Sequence, residues 1–238
     1  MSRRWHRGRV LLIAQCRKVD IRQDAKAEID ALSGICQDNS QETAIKHTSL
    51  QIIRGEHLSL AAVLRSMNML VERGPGDQPE QFFDVLRAML FYIDEFPERQ
   101  HHPKESDLLF PRAMRAAPSV MAVVQQLERD HIDGERAVRE LQHLLLAWEL
   151  LGEPRRFAFA AQCQQYVAFY LEHMRLEETV ILTEAEKVLT DADWKELDAA
   201  FEKNCDPLGG HCPIDPAYDR LFTRIMMRAP TPIGRAAA

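Results

Sequence analysis

The chain has 238 residues, of which 46% are hydrophobic, 28% charged and 7% aromatic, and its formal net charge at pH 7 is -6. A chain of this length can bury a substantial core, and we expect one main domain with extensions. The negative charge gives no reason to expect a nucleic-acid partner. No apolar run approaches the about 20 residues of a membrane-spanning helix, so we expect no membrane partner either.

The cysteines and the first residues bear on the compartment. Five cysteines are scattered along the chain without a Cys-x-x-Cys pair. A disulfide framework is therefore not expected, and a reducing compartment, the cytoplasm, fits. Basic residues dominate before the first acidic residue, Asp20, and the apolar run from Val10 to Ala14 is too short for a secretory signal. We expect residues 1–45 to form a weakly ordered or helical arm.

Regular helical periodicity begins at Thr48. One histidine and six apolar residues step by three and four, which predicts one inward-facing stripe of a bundle helix. His57 occupies a core position where an apolar residue would be expected, and the glycine- and proline-rich sequence at residues 73–77 ends the helix. The stripe consists of Leu50, Ile53, His57, Leu60, Leu64, Met67 and Val71.

The second predicted helix begins near Gln78 and contains an irregularity. Pro97 and Pro103 each remove a backbone donor, so this helix must kink or break. His101 also lies one residue beyond the position that would continue the apolar stripe. A bulge or a short break near Pro97 would absorb that residue and turn His101 and Glu105 inward. The core residues before the break are Phe83, Leu86, Leu90 and Ile93.

The third and fourth predicted helices have the same alternation of three and four. The third carries Val124, Leu127, His131, Gly134, Val138, Leu141, Leu145 and Trp148. The fourth carries Phe159, Cys163, Tyr166, Tyr170, His173, Glu177 and Val180. The fourth stripe places the Glu177 carboxylate in the core, which is costly unless the group is paired or coordinated.

The remainder predicts a helical extension. A shorter helix capped at Thr190 or Asp191 precedes a loop rich in glycine, proline and cysteine, and a last helical piece follows at residues 218–227. We therefore predict an all-α protein with an up-down-up-down four-helix bundle at residues 46–189. Residues 1–45 would form an N-terminal extension, and short helices at 190–238 a C-terminal extension packed on the bundle.

Histidines and glutamates recur on the predicted core stripes. Each bundle helix supplies a histidine, and two helices add a glutamate four residues later, on the same helix face. A single such histidine is more often a core side chain bonded to a carbonyl. Four imidazoles and two carboxylates in one core cannot satisfy one another cheaply, so we favour a shared cation. The predicted metal ligands are His57, His101, Glu105, His131, His173 and Glu177.

The composition of this ligand set restricts the metal. It contains no cysteine, which disfavours structural zinc, whereas mixed imidazole and carboxylate suits iron or manganese. Six ligands are more than one small ion usually takes from a protein, and two bridging carboxylates would hold a pair of ions. Of about twelve coordination positions on two octahedral ions, about two would remain open for a small ligand.

The order His, His-x-x-x-Glu, His, His-x-x-x-Glu resembles the hemerythrin-like (HHE cation-binding) family of non-haem diiron proteins, over about Thr48 to Leu189. The segment at residues 101–111 resembles the family's most typical stretch, and residues 173–178 resemble its second copy. Residues 204–208 and 221–234 also resemble the C-terminal extension of some bacterial members. The resemblance implies a four-helix bundle around two iron ions, joined by an oxo or hydroxo bridge and held by the six residues above.

The chain departs from the oxygen-carrying members in one respect. Those members use five histidines, and the third helix here offers no partner for His131. The resemblance therefore does not imply that this chain carries oxygen reversibly. The remaining ligand would be water or a side chain such as Glu56 or His102.

The roles of several residues near the proposed ligands have two interpretations. His102 and Glu178 adjoin proposed ligands, and because a helix turns about 100° per residue they would lie at the edge of the core. We expect exposed surface there rather than a role in orienting ligands. For Tyr166 and Tyr170, a hydroxyl bonded to a carboxylate or to the bridging oxygen and a merely packed ring are equal alternatives.

The predicted function is that of a cytoplasmic diiron protein that binds or senses a small oxidant (dioxygen, nitric oxide or peroxide) or handles iron. One alternative is a diiron enzyme, a peroxidase, an oxidase or an iron–sulfur repair protein, although the 45 N-terminal residues are short for the extra domain of that repair branch. A second alternative is a metal-free structural or partner-binding bundle. We single out no catalytic residue, and a homodimer remains open.

Overall fold

The structure is a computed structural model that describes residues 47–209 and 215–234. The predicted arm at residues 1–45 lies outside these ranges. The α-helices are α1 (Thr48–Arg73), α2 (Pro79–Ile93), α3 (His102–Lys104), α4 (Phe110–Ala116), α5 (Met121–Leu151), α6 (Arg156–Leu176), α7 (Thr183–Val188), α8 (Asp191–Phe201) and α9 (Asp219–Arg228). π-helical segments span Asp94–His101, Glu105–Leu109 and Glu177–Leu182, and 3-10 turns span Pro118–Val120, Glu153–Arg155 and Pro216–Tyr218.

These elements form the predicted all-α four-helix bundle. The first and third bundle helices are α1 and α5. The second, residues 79–116, runs continuously through α2, α3 and α4 with two π-helical segments, and the fourth, residues 156–188, runs through α6, a π-helical segment and α7. Short connections join consecutive helices, so neighbours run antiparallel.

The bundle buries the predicted stripes. All seven stripe residues of α1 are buried. On α5 the buried residues are the eight of the predicted stripe, from Val124 to Trp148. The alternation of three and four thus identified the inward faces of both helices.

The π-helical segment Asp94–His101 contains Pro97. It occurs where the sequence predicted a bulge, because a wide turn accommodates both the missing proline N–H and the extra residue. The segments Glu105–Leu109 and Glu177–Leu182 are also π-helical. They were not predicted, and each begins at a candidate ligand.

The buried apolar side chains form two clusters. The larger apolar cluster includes apolar residues from Leu60 to Val71 of α1, Phe82, Phe83 and Tyr92 of α2, and apolar residues from Val138 to Trp148 of α5. The smaller apolar cluster includes Leu50 and Ile53 of α1, Val124 and Leu127 of α5, and Ile181 and Leu182. On every bundle helix, buried polar side chains separate the two clusters. We call these the polar layer: His57, His101, His102, Glu105, His131, His173 and Glu177.

The C-terminal helices pack against the bundle. A capping box starts α8, in which the Thr190 hydroxyl accepts from Asp193 N and the Asp193 carboxylate accepts from Thr190 N. Phe201 of α8 belongs to the smaller apolar cluster, and Ile225 of α9 belongs to the larger one. The extension therefore contributes to both halves of the core.

The cysteine expectation needs a correction. Cys205 is disulfide-bonded, whereas Cys163 is a free thiol buried in the core. We expected no disulfide framework, and the bond at Cys205 was not foreseen, because sequence spacing does not reveal which cysteines approach one another. Within the described ranges, no helix is both long enough and apolar enough to cross a bilayer.

Candidate metal centre

The polar layer brings all six predicted ligands together and adds His102. Each bundle helix contributes at least one of these side chains. Glu105 and Glu177 are 0% exposed, and the histidine with the greatest exposure, His131, is 8% exposed. Such a concentration of ionisable groups in a core requires compensation by pairing or by cations.

The layer divides into two groups with metal-ligand geometry. The two-histidine group consists of His57, His101, Glu105 and Glu177, and the three-histidine group consists of His102, Glu105, His131 and His173. Within each group the potential ligand atoms lie within 4.8 Å of one another. Glu105 belongs to both groups, so one carboxylate could serve two ions.

The inward-facing atoms lack partners among the described residues. The Nε2 atoms of His101, His131 and His173 form no hydrogen bond, nor does any carboxylate oxygen of Glu105 and Glu177. The distance from His131 Nε2 to Glu105 Oε2 is 3.4 Å, and from His101 Nε2 to Glu105 Oε1 it is 2.7 Å, but neither contact has hydrogen-bond geometry. Each buried unsatisfied group costs about 1–3 kcal/mol. Two cations of the iron or manganese class would satisfy them, so the donor set fits the predicted metal pair.

The outward-facing Nδ1 atom of each histidine meets a polar side chain. These contacts are His57 to Glu178 at 2.8 Å, His101 to Glu56 at 2.5 Å, His102 to Glu98 at 3.1 Å, His131 to the Ser106 hydroxyl at 3.0 Å and His173 to Asp130 at 3.6 Å. An acceptor at Nδ1 fixes the tautomer and aims the Nε2 lone pair inward, as in known metal sites. His173 is the exception, since its Nδ1 forms no hydrogen bond with Asp130 at 3.6 Å. This arrangement is the strongest sign that the layer is built for cations.

His102 departs from the sequence-based expectation. It is 5% exposed, not a surface residue, and its ring stacks on that of His131 with centroids 4.2 Å apart. The π-helical segment ending at His101 changes the helical phase, so that two consecutive histidines face the layer. The fifth histidine thus comes from the second bundle helix and not from the third. The His-His pair next to the phase slip was the sequence signal for it.

Glu178 also departs from the expected exposed position. It is half-buried, and its carboxylate forms a hydrogen bond with Nδ1 of His57, so it orients a candidate ligand. Glu56 is 8% exposed and does the same for His101. Sequence reasoning missed Glu98, Ser106 and Asp130 in this role, because nothing in a helical stripe shows which distant side chain meets an outward nitrogen.

Burial and mutual proximity set the protonation of the metal-free layer. Burial and the neighbouring Glu105 raise the pKa of Glu177 to about 7. Burial and the nearby His131 hold the pKa of His102 well below its usual value, which favours the neutral ring that a metal requires. Burial lowers the pKa of His57, but the carboxylates of Glu177, 3.4 Å from Nε2, and of Glu178, 2.8 Å from Nδ1, outweigh it and raise the pKa to about 9. Metal uptake therefore has to release protons.

The two inward tyrosines bond to a carboxylate, one of the alternatives left open. The hydroxyl groups of Tyr166 (3.3 Å) and Tyr170 donate to Oε1 of Glu98, whose Oε2 faces Nδ1 of His102. Gly134 makes room for this arrangement, because a Cβ atom there would overlap the Tyr170 hydroxyl. The tyrosines therefore act on the candidate centre through Glu98.

A small cavity adjoins the two-histidine group. Its space for the centre of a water-sized molecule is about 10 Å³, close to that of one water site. Of the polar layer, His57, His101 and His102 line it, whereas His131 and His173 do not. The other lining residues are Glu56, Leu60, Phe96, Pro97, Gln100, Met174 and Asp206. The cavity therefore admits only ligands of a few atoms.

Comparison with known proteins agrees with this geometry. A family model described as the hemerythrin HHE cation binding domain matches residues 48–185. Nothing among curated proteins matches the sequence significantly. The matched residues include the whole polar layer.

Proposed function

The chain belongs to the hemerythrin HHE cation-binding family, and from this premise we propose that it holds two iron ions in the polar layer and offers them to a small oxidant. Dioxygen, nitric oxide and peroxide are the proposed ligands. The observation that carries the proposal is the set of buried inward atoms without a hydrogen-bond partner on Glu105, Glu177, His101, His131 and His173.

We propose seven ligands for the two ions. His57 and His101 would hold one ion, and His102, His131 and His173 the other. Membership of both groups supports a bridging role for Glu105. We keep the sequence-based proposal that Glu177 bridges as well. An oxo or hydroxo bridge would complete the link between the irons.

When bound, the iron pair would supply reversible redox chemistry and an open coordination position. The chain supplies the rest. The Nδ1 partners hold the imidazoles in place, the two apolar clusters exclude bulk water, and the cavity limits ligand size. Because two of the cavity-lining histidines belong to the two-histidine group, we propose that the ligand binds on that side.

A diiron enzyme acting on a peroxide is the second candidate. The buried Asp206 carboxyl in the cavity favours it, because such a group can serve as an acid beside a bound oxygen ligand. Consumption of hydrogen peroxide by the iron-loaded protein, at a rate proportional to enzyme concentration, would distinguish this enzyme from a passive binder. The metal-free bundle is the poorer alternative, because it leaves eight buried polar atoms of the polar layer without a hydrogen-bond partner.

The first test is metal content, measured by mass spectrometry on protein from iron-supplemented cells, with an absorption spectrum in air. We expect about two irons per chain and oxo-to-iron charge-transfer bands. His131→Ala should lose iron, whereas His143→Ala, which alters an exposed histidine of the same helix, should not. No metal in the wild type, or equal iron in the two variants, would contradict the proposal.

Location and assembly are separate proposals. We propose the cytoplasm, and the Cys205 disulfide stands against it, because disulfides are rare there. Cell fractionation with thiol labelling of Cys205 tests this.

A homodimer and the absence of a nucleic-acid partner stay predictions, which light scattering and a nucleic-acid binding assay would check.

A further inference from the structure

Asp206 reaches the cavity from outside the four bundle helices. It lies in the loop after α8, is 4% exposed and lines the cavity together with His57 and His101. Its neighbour Asn204, 1% exposed, donates from Nδ2 to Glu56 Oε2 at 3.0 Å. The C-terminal extension therefore forms one wall of the ligand cavity.

The Asp206 carboxyl is held in a fixed orientation. Tyr92 donates its hydroxyl to Oδ2 at 2.8 Å, and the Leu208 N–H donates to Oδ1 at 2.8 Å. Two partners on two different oxygens leave little rotational freedom. Because the carboxyl is already held beside the small cavity, it can form a hydrogen bond with a bound ligand without changing its own orientation.

The surroundings favour a protonated carboxyl. The titratable groups that face Asp206 are Glu56 of α1 and Tyr92 of α2, with His57, His101 and His102 across the cavity. Burial and the nearby Glu56 raise the pKa of Asp206 to about 7, despite hydrogen bonds from Leu208 and Tyr92 that lower it. The remaining lining is apolar except for Gln100, whose side-chain amide can also donate a hydrogen bond into the cavity.

We propose that Asp206 is the proton-bearing hydrogen-bond donor of the ligand cavity, and that the cavity therefore selects anionic ligands, such as partly reduced oxygen species, over neutral diatomic molecules. The inference rests on the proposed function, since the ligand binds beside the metal pair. Below the pKa of Asp206 the anion meets a carboxyl that already carries the proton, and above it the anion and one proton enter together; in both cases the proton stays on the carboxyl, which donates its hydrogen bond to the anion. The C-terminal extension thus determines the class of ligand.

The test uses azide as the anionic probe on iron-loaded protein, with binding followed by absorption between pH 5.5 and 8.5. The Asp206→Asn variant keeps a hydrogen-bond donor but has no titrating carboxyl. Its azide profile therefore contains only the pH dependence that arises at the metals, and it serves as the baseline. Relative to that baseline, the wild-type Kd should be constant at pH values where the Asp206 carboxyl is protonated and should rise about tenfold per pH unit above the pKa that Asp206 has in the iron-loaded protein. A wild-type profile that matches the Asp206→Asn profile would overturn the inference.

Two further variants separate this role from a structural one. Tyr92→Phe removes a hydrogen bond that lowers the Asp206 pKa, so the midpoint of the azide profile should move to higher pH. Gln100→Leu removes a neutral donor and should weaken azide binding equally at every pH. A midpoint that stays fixed in Tyr92→Phe, or that moves in Gln100→Leu, would count against Asp206 as the proton carrier.

Nitric oxide tests the ligand class. Its binding to the reduced protein should be unchanged in Asp206→Asn, and a loss as large as that for azide would overturn the selectivity. On metal-free protein, the infrared difference between wild type and Asp206→Asn should contain the C=O stretch of a protonated carboxyl at pH 6 and lose it by pH 8.5.

The outcomes distinguish the two proposals. Two irons per chain with an azide profile unaffected by Asp206→Asn would overturn this inference and leave the proposed function intact. A wild type that binds no iron would overturn both.

Discussion

At the scale of single residues, the centre is defined by what lies behind each histidine. Carboxylates face Nδ1 of His57, His101, His102 and His173, whereas His131 meets the Ser106 hydroxyl, which in turn donates to Glu128 at 3.0 Å. A carboxylate at Nδ1 makes the ring a more basic ligand. The sequence predicted four of the six inward residues from periodicity, and it predicted His101 and Glu105 from a bulge near Pro97. It did not predict their partners, because Glu178 lies 121 residues from His57 and Glu56 lies 45 from His101.

His102 is the ligand whose assignment changes most. We expect His102→Ala to hold about one iron per chain, because the three-histidine group loses one of its three imidazoles and the two-histidine group is intact. Metal analysis after gel filtration measures this. His143→Ala is the matched control and should keep two irons, and full occupancy in His102→Ala would remove His102 from the ligand set.

Gly134 is predicted to be essential for metal affinity although it touches no metal. In Gly134→Ala the new methyl group displaces the Tyr170 hydroxyl, Glu98 loses that hydrogen bond, and His102 loses its firm support. Such loss of outer support typically costs 10- to 100-fold in affinity, about 1.4–3 kcal/mol. Competition with a chelator measures it. Gly55→Ala is the control, since a Cβ at Gly55 meets nothing within 4 Å, and equal affinities in the two variants would contradict the prediction.

At the scale of helices, irregular turns place the ligands. Pro97 and the phase slip after Ile93 were enough to predict one wide turn, which the structure confirms as the π-helical segment Asp94–His101. The segments beginning at Glu105 and Glu177 could not be predicted, because no proline or phase slip marks them. A single π turn depends on the tertiary partners of its side chains, and those partners lie on other helices.

The start of α1 depends on another helix. His47 provides no side-chain cap, and Asp198 of α8 accepts from Ser49 N at 2.8 Å and from Ser49 Oγ at 2.6 Å. Asp198 therefore acts as an N-cap supplied from a distance and complements the helix dipole. We expect Asp198→Ala to lower the free energy of unfolding by about 1–2 kcal/mol.

Denaturant unfolding of metal-free protein measures this difference. Glu202→Ala, which removes an exposed carboxylate one turn beyond Asp198, at the C-cap of α8, should change the value by less than about 0.5 kcal/mol. If both variants unfold at the same denaturant concentration, Asp198 does not cap α1.

At the scale of the whole molecule, the sequence predicted more of the architecture than of the chemistry. The stripes of α1 and α5 were correct position by position, because a bundle buries one face of each helix. The exposed position expected for His102 was wrong, because it assumed a regular helical turn of about 100° between His101 and His102, whereas a π-helical segment ends there. The Cys205 disulfide and the Asp206 wall of the cavity depend on how the C-terminal extension folds back, which periodicity does not encode.

The metal-free protein should lose stability as pH rises. His57 has a pKa of about 9 in the folded chain against 6.5 for an unperturbed histidine, so the folded state binds this proton more tightly. The resulting stabilisation is present below pH 6.5 and is lost as pH rises through about 9. Its size is on the order of 3 kcal/mol. His101, whose pKa is also raised, acts in the same direction.

Thermal unfolding of chelated protein between pH 6.5 and 9.5 tests this dependence. The Tm should fall with pH in the wild type and fall less in His57→Gln. The iron-loaded protein should show the opposite trend, because ligands must be deprotonated to bind metal. A chelated wild type with constant Tm would contradict the assignment.

The polar layer separates the larger apolar cluster from the smaller one, and this has a consequence for the order of unfolding. Bound cations would tie all four bundle helices together across the layer, so the protein should open as one cooperative unit. Without them, the two clusters become separate foldons, and the smaller one, with less apolar surface, should open first. Hydrogen exchange should then protect amides near Leu64 and Leu141 longer than those near Leu50 and Val124 in chelated protein. The difference should disappear when iron is restored.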